Sequence, residues 1–144
     1  MRVNESHLET VIRVKDFQVK KAQRELAVIK VNRAQEEGAL SSLEERQNTA
    51  MSDAVRKMKT KAVDLQTSQA FIQSLSRQIE RQVEKVQEII SEEEGKRGEL
   101  VEKSQSKQMI EKIDQRRKEE QEKEQERKAQ RVIDVLAQRM KSTL

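Results

Sequence analysis

The sequence predicts an all-α protein, a long two-helix antiparallel coiled-coil hairpin whose second helix extends beyond the first. Apolar residues recur at steps of three and four over long stretches, which is the spacing of a coiled-coil seam. The 144 residues include no proline, and 33% of them are hydrophobic while 39% are charged. So few apolar side chains cannot fill a globular core, but they suffice for a seam between two helices.

The first helix is predicted over residues 6–50. Ser6 and Glu9 have the spacing of a capping box, in which each side chain accepts a backbone amide of the first turn. The seam of this helix is predicted at Leu8, Ile12, Lys15, Val19, Ala22, Leu26, Ile29, Arg33, Glu36, Leu40, Leu43, Gln47, Ala50 and Ala54. Two of its four polar members, Arg33 and Glu36, are adjacent in the seam and lie beside Gly38. We therefore expect the seam to be weakest there.

A bend is predicted within residues 48–63, because Asn, Thr, Ser and Asp side chains there compete for backbone hydrogen bonds. This segment contains neither proline nor glycine, so its apex is placed only loosely. Lys57, Lys59 and Lys61 make the bend basic. A solvated bend explains these lysines more simply than a binding surface does.

The second helix is predicted over residues 64–142. Its most regular stretch is Phe71–Ile90, with a narrow apolar stripe at Ile72, Leu75, Ile79, Val83, Val86 and Ile90. Gly95 and Gly98 weaken the helix, after which the seam is expected to resume at Leu100, Val101, Met109, Ile110 and Ile113. If the bend is centred near residue 57, Leu8 lies opposite residue 106 and Gly38 opposite residue 76.

The second helix then extends beyond the first by about thirty residues. This overhang begins at about residue 114, and its first part, residues 114–128, contains no aliphatic side chain. Acid-to-base pairs four residues apart support it as a marginal helix, among them Asp114 with Lys118. A short apolar strip follows at Ala129, Val132, Ile133, Leu136 and Met140. This strip either frays without a function or docks another protein, and we favour docking.

The composition excludes most chemistry. There is no cysteine and a single histidine, His7, so thiol catalysis and a metal site are not expected. The three glycines lie outside any phosphate-binding motif. The sequence therefore predicts a protein that is not an enzyme and has no cofactor.

Nucleic acid and membrane insertion are also disfavoured. The net charge of +4 is spread along the chain, and almost no aromatic residues are present to stack on bases. The N-terminal residues are too polar for a signal peptide, and no window approaches eighteen apolar residues. We therefore expect a soluble, cytoplasmic protein.

Three stretches in order resemble the flagellar export protein FliJ family. HLETVIRVKDFQVKKAQRELA at residues 7–27 resembles the family's amino-terminal arm, and FIQSLSRQIERQ at 71–82 resembles the start of its second helix. QRVIDVLAQR at 130–139 resembles its C-terminal signature, with Asp134 before a Leu-Ala pair. The spacing and the total length agree, so the resemblance covers most of the chain.

The resemblance implies a coiled coil shaped like the central stalk of a rotary ATPase, within the flagellar type III protein export apparatus. Such a protein docks into the hexameric ring of the export ATPase, contacts the cytoplasmic domain of the export gate and handles export chaperones. It serves motility from the cytoplasmic face of the inner membrane, where the export apparatus holds it peripherally.

One set of site residues follows from the resemblance, and a second set is a hypothesis from geometry. The family contacts the gate from both helices towards the bend, which here corresponds to Leu43, Arg46, Ala50, Phe71, Leu75, Gln78 and Gln82. Aromatic residues occur in the family where this chain has Arg46 and Ala50, which weakens the match on the first helix. The ATPase contact is assigned to the end away from the bend, at Arg13, Lys20, Lys21, Arg24, Val132, Leu136 and Met140.

Two other interpretations compete with the flagellar stalk. The equivalent stalk of a virulence type III secretion system shares its shape and mechanism. A structural scaffold, such as a peripheral-stalk subunit or a homodimer, would pair its seams between chains, and the loosened segment 48–64 is the sequence feature that favours a hairpin over it. A helical nucleic-acid-binding protein ranks third.

Overall fold

The computed structural model describes residues 2–57 and 62–143, with the side chains of residues 7–57 and 64–143. Two long helices account for nearly all of this, α1 at Arg2–Arg56 and α2 at Ala62–Ser142. The described residues contain no strand, and the two helices pack against each other, so the predicted all-α fold is confirmed. No helix in the described part of the chain is long and apolar enough to cross a membrane.

The chain divides into two compact units, and each contains a segment of both helices. One unit comprises Met1–Lys20 with Val101–Leu144, and in it Lys107 donates to Asp16 across 2.8 Å. The other comprises Lys21–Leu100, and in it Lys96 donates to Glu25 across 2.8 Å while Gln47 donates to Ser76 across 2.6 Å. Partners that lie later in α1 lie earlier in α2, so the helices run antiparallel.

The seam predicted for α1 is confirmed at every position. All fourteen predicted residues, from Leu8 to Ala54, are buried or half-buried. The most deeply buried of them are Val19, Ala22, Leu26 and Ile29. The three-and-four spacing therefore identifies the buried face of α1 even where the seam residue is polar.

The seam of α2 differs from the prediction in its C-terminal part. Leu75 and Val86 are buried as predicted, and Ile89 is buried while Ile90 is half-buried. Three residues expected to resume the seam are exposed instead: Val101, Met109 and Ile113. Buried or half-buried residues continue at steps of three and four through Glu93, Lys96, Leu100, Lys103, Lys107, Ile110 and Asp114. The seam thus keeps its period and accepts charged residues, of which Glu93, Lys96 and Lys107 form ion pairs with α1.

The register of the two helices also differs from the prediction. Gln47 contacts Ser76, and Asp16 contacts Lys107, and each of these pairs is centred on position 61.5 rather than 57. Residues opposite each other are therefore shifted by nine residues from the predicted pairing. The prediction relied on a loosely placed bend, because a repeating seam fits almost equally well after a shift of seven residues and does not fix the register by itself.

Residues 48–56 belong to α1 rather than to a bend. Thr49 donates its hydroxyl to the carbonyl of Glu45 across 3.0 Å, so the side chain is satisfied within the helix. No glycine or proline interrupts this stretch. Lys59 and Lys61, which were expected to make the bend basic, lie outside the described residues, as does the side chain of the predicted cap Ser6.

Replacing Gly95 or Gly98 by alanine should raise the free energy of unfolding by about 1 kcal/mol each, because glycine costs that much in a helix interior. Both residues lie within α2, and a β-carbon at either position meets no atom within 4 Å. Urea unfolding followed by circular dichroism measures the change. Two variants no more stable than the parent would contradict the prediction.

Candidate partner-binding surfaces

A layer of polar side chains interrupts the apolar seam between α1 and α2. Arg33 donates to Glu93 across 2.7 Å and to Glu37 across 2.8 Å, and Glu93 is only 4% exposed. Gln82 donates both to the side chain of Glu36 at 2.6 Å and to its backbone carbonyl at 2.9 Å. We call Arg33, Glu36, Gln82 and Glu93 the polar layer. The weak point predicted at Arg33 and Glu36 is thus a set of matched polar contacts.

Hydrogen bonds within and beside the polar layer lower the pKa values of its two carboxylates. The hydrogen bond from Arg33 lowers the pKa of Glu93, against the opposing effect of burial. Hydrogen bonds from Gln82 and Lys85 lower the pKa of Glu36. The carboxylates are therefore ionised at neutral pH and need no other ligand, and no side-chain nitrogen or oxygen buried among the described residues lacks a hydrogen bond.

A shallow groove lies between the helices near the C-terminal end of α1. Its lining includes Arg46 and Ala50 from α1 and Phe71 from α2. Phe71 is 49% exposed, whereas phenylalanine is more often buried, and the chain's other phenylalanine, Phe17, is exposed as well at 64%. The structure therefore brings together three of the seven residues that the resemblance assigned to the gate contact. We call this surface the Phe71 groove.

The other residues of that set have different environments. Leu75 is 1% exposed and belongs to the core, so the structure does not present it to a partner. Leu43 is half-buried, and Gln82 is engaged with Glu36 in the polar layer. Gln78 is exposed on α2. Phe71 and Gln78 are thus the two members of the set on α2 whose side chains are most accessible to a partner.

The basic residues assigned to the ATPase contact lie on the outside of α1. Arg13, Lys21 and Arg24 are exposed. Lys20 is also exposed, and it pairs with Asp16 at 2.9 Å, in the same cluster that holds Lys107. All four cations can therefore meet a partner without breaking a contact of their own between the helices, because the pair of Lys20 with Asp16 lies within α1.

The apolar residues assigned to the same contact lie far along α2. Every described residue from 122 to 143 is exposed, including Val132, Leu136 and Met140. Asp16 pairs with Lys107, and at a rise of about 1.5 Å per residue Val132 lies roughly 30 Å from Arg13 along the helix axis. In this unit the structure therefore separates the apolar residues from Arg13.

The sequence patterns considered above did not predict the remaining groove residues or the buried Glu93. Ser42, Glu45, Thr49 and Asp53 complete the lining of the Phe71 groove. They recur along one face of α1 at steps of three and four, outside the seam. This spacing is the sequence signal from which they could have been predicted. Glu93 could have been found by continuing the spacing of Val86 and Ile89 regardless of polarity.

Comparison with known proteins identifies one family. The model of the family described as Flagellar FliJ protein matches residues 4–142, which is nearly the whole chain. No curated protein and no solved structure matches.

Proposed function

We propose that this chain, which belongs to the FliJ family of flagellar export stalk proteins, joins the export ATPase to the export gate. The family is a structural component of flagellar protein export. The observation that supports the more specific role is the Phe71 groove, an accessible surface built by both helices at one end of the coiled coil. Gate and ATPase contacts at separate places on one chain would let it couple the two.

The Phe71 groove is the proposed contact for the cytoplasmic domain of the export gate. A half-exposed aromatic ring beside a cation is a common anchor of protein interfaces, because it offers a large apolar area at little conformational cost. Arg46 and Ala50 form the α1 side of the contact, while Leu43, Leu75, Gln78 and Gln82 shape or support it. Ala50 leaves room for a side chain from the partner next to Phe71.

Phe71→Ala should weaken binding to the purified cytoplasmic domain of the gate at least tenfold, since loss of an aromatic anchor costs about 2 kcal/mol or more. Isothermal titration calorimetry measures the affinity. Phe17→Ala is the matched control, because Phe17 is also exposed, at 64%, and lies outside the groove. Equal affinities for the two variants would refute the gate contact.

The proposed contact with the export ATPase ring uses two surfaces. The cations Arg13, Lys20, Lys21 and Arg24 attract acidic groups over a distance, which speeds and orients association. The exposed strip of Val132, Leu136 and Met140 supplies apolar area on a part of α2 that does not pack on α1. A helical strip of this kind fits an apolar groove on a partner.

Reversing two of these charges, with Arg13→Glu and Arg24→Glu, should reduce ATPase binding at least tenfold at low salt and less at high salt, because the attraction is screened. Surface plasmon resonance at two salt concentrations measures the change. Lys112→Glu with Arg116→Glu is the control, since it reverses two exposed cations elsewhere. If both double variants bind as the parent does, these cations do not contact the ATPase.

Export chaperones are the third proposed partner class. In this role the protein lies on the cytoplasmic side of the inner membrane. The gate and the ATPase hold it there, and it does not insert into the bilayer. No cofactor takes part in this role.

A further inference from the structure

We propose that the polar layer is a register lock, which permits one alignment of α1 and α2 and excludes the alignments shifted by one heptad. A heptad seam pairs almost as well after a slip of seven residues, because every apolar position still meets an apolar position. Polar residues placed within such a seam remove this ambiguity when their partners are matched in only one register. The lock is a property of the fold, separate from the proposed function.

The α1 members of the lock have suitable partners only in the observed register. Arg33 meets Glu93, and Glu36 meets Gln82. After a slip of seven residues, Arg33 would lie opposite Val86 or Leu100, according to the direction, and Glu36 opposite Leu75 or Ile89. All four of these residues are apolar. Each slip therefore removes the α2 partners of Arg33 and Glu36 and sets both residues against apolar side chains, while Arg33 keeps only its bond to Glu37 within α1.

The α2 members meet the same difficulty. Glu93 would lie opposite Leu26 or Leu40, and Gln82 opposite Ile29 or Leu43. Glu93 is buried in the seam and pairs with Arg33 of α1 and with Arg97 of its own helix. The loss of Arg33 would set its carboxylate against an aliphatic neighbour, with Arg97 as the remaining partner. All four members of the polar layer therefore disfavour both alignments that are shifted by seven residues.

The lock has a consequence for the Phe71 groove, and this consequence rests on the proposed function. Ala50 and Phe71 line the groove from opposite helices. A slip of seven residues would bring Phe71 level with Leu43 or Lys57 instead, which would dismantle the groove. A single register therefore preserves the surface proposed to bind the gate.

Cysteine cross-linking can test the lock, because the chain contains no cysteine of its own. Gln47→Cys with Ser76→Cys reports the observed register, since those side chains touch at 2.6 Å. Gln47→Cys with Gln69→Cys, and Gln47→Cys with Val83→Cys, report the two slips. Positions seven residues apart differ by about 10 Å along a helix, so a thiol cross-linker of roughly 6 Å distinguishes them.

Each reporter pair is placed in the parent, in an apolar-layer variant and in a control. The apolar-layer variant carries leucine at Arg33, Glu36, Gln82 and Glu93, and the control carries leucine at Lys30, Gln35, Glu84 and Glu88. Each set removes one cation, two carboxylates and one glutamine, and all four control residues are exposed. The products are read as cross-linked monomers on denaturing gels, and circular dichroism verifies that each variant is helical.

The parent and the control should cross-link only through the observed-register pair. The apolar-layer variant should form at least one slip product, at a rate at least ten times that of the control. The lock is refuted if the apolar-layer variant yields no slip product in the monomer, or if the control yields as much. Gate binding plays no part in this readout, so failure of the proposed function would not affect it.

Discussion

Leu75→Ala is expected to lower the free energy of unfolding by about 3 kcal/mol, the largest effect of any substitution considered for this chain. Leu75 is the largest fully buried side chain, with 1% of its surface exposed. Truncation removes the transfer free energy of the buried methyl groups and leaves a cavity that two rigid helices cannot close. A seam offers few other apolar contacts to compensate for the loss.

Urea unfolding monitored by circular dichroism at 222 nm is the appropriate measurement. Met109→Ala is the control, because Met109 is an exposed apolar residue of the same helix and its truncation should cost less than about 0.5 kcal/mol. Leu75 would not be part of the core if the two variants lost similar stability. Loss of gate binding by Leu75→Ala would then have to be read as loss of a direct contact.

Ala22→Leu is expected to lower the free energy of unfolding by about 2 kcal/mol, through overpacking. Ala22 has no exposed surface at all. Its small side chain lets α2 approach α1 closely, so the additional carbons of leucine have no space unless the helices separate. Separation would loosen the neighbouring contacts of Val19 and Leu26, which lie on the same face.

The matched control is Ala34→Leu, on the exposed side of the same helix. Leucine and alanine have similar helix propensities, so this substitution should change stability by less than about 0.5 kcal/mol. Thermal and urea unfolding of both variants compare the two positions. An Ala22→Leu variant as stable as the Ala34→Leu variant would show that the helices are not in close contact at this level.

The buried face of α1 was predictable in full, because its three-and-four spacing persists from Leu8 to Ala54 without interruption. On α2 the same reasoning succeeded as far as Val86 and again at Leu100 and Ile110, but it also placed three exposed residues on the seam. Val101 and Met109 are apolar but exposed, whereas Lys107 is charged and lies on the seam. Position within the heptad determined burial there, and residue type did not.

The candidate surfaces were predictable in part. The resemblance supplied Arg46, Ala50 and Phe71, and the structure places them in one groove. It also supplied Leu75, whose burial gives it a supporting position. A sequence pattern does not distinguish a side chain that faces a partner from one that faces the second helix, because both recur with the helical period.

Composition and periodicity by themselves determined that this protein is all-α and that its helices pair along a narrow seam. The family resemblance, carried by three stretches in order, is confirmed over residues 4–142. These conclusions depend on local spacing and on residue types, which can be read from one chain.

Only the tertiary structure decided the register of the two helices. A heptad repeat is nearly unchanged by a shift of seven residues, so the seam alone left several alignments of similar energy. Contacts between residues distant in sequence, such as Arg33 with Glu93 and Asp16 with Lys107, distinguish these alignments. The register in turn decides which residues share the Phe71 groove, because it sets which residue of α2 lies beside Ala50. Polar groups in the seam meet their partners on the other helix in one alignment and apolar residues in the others.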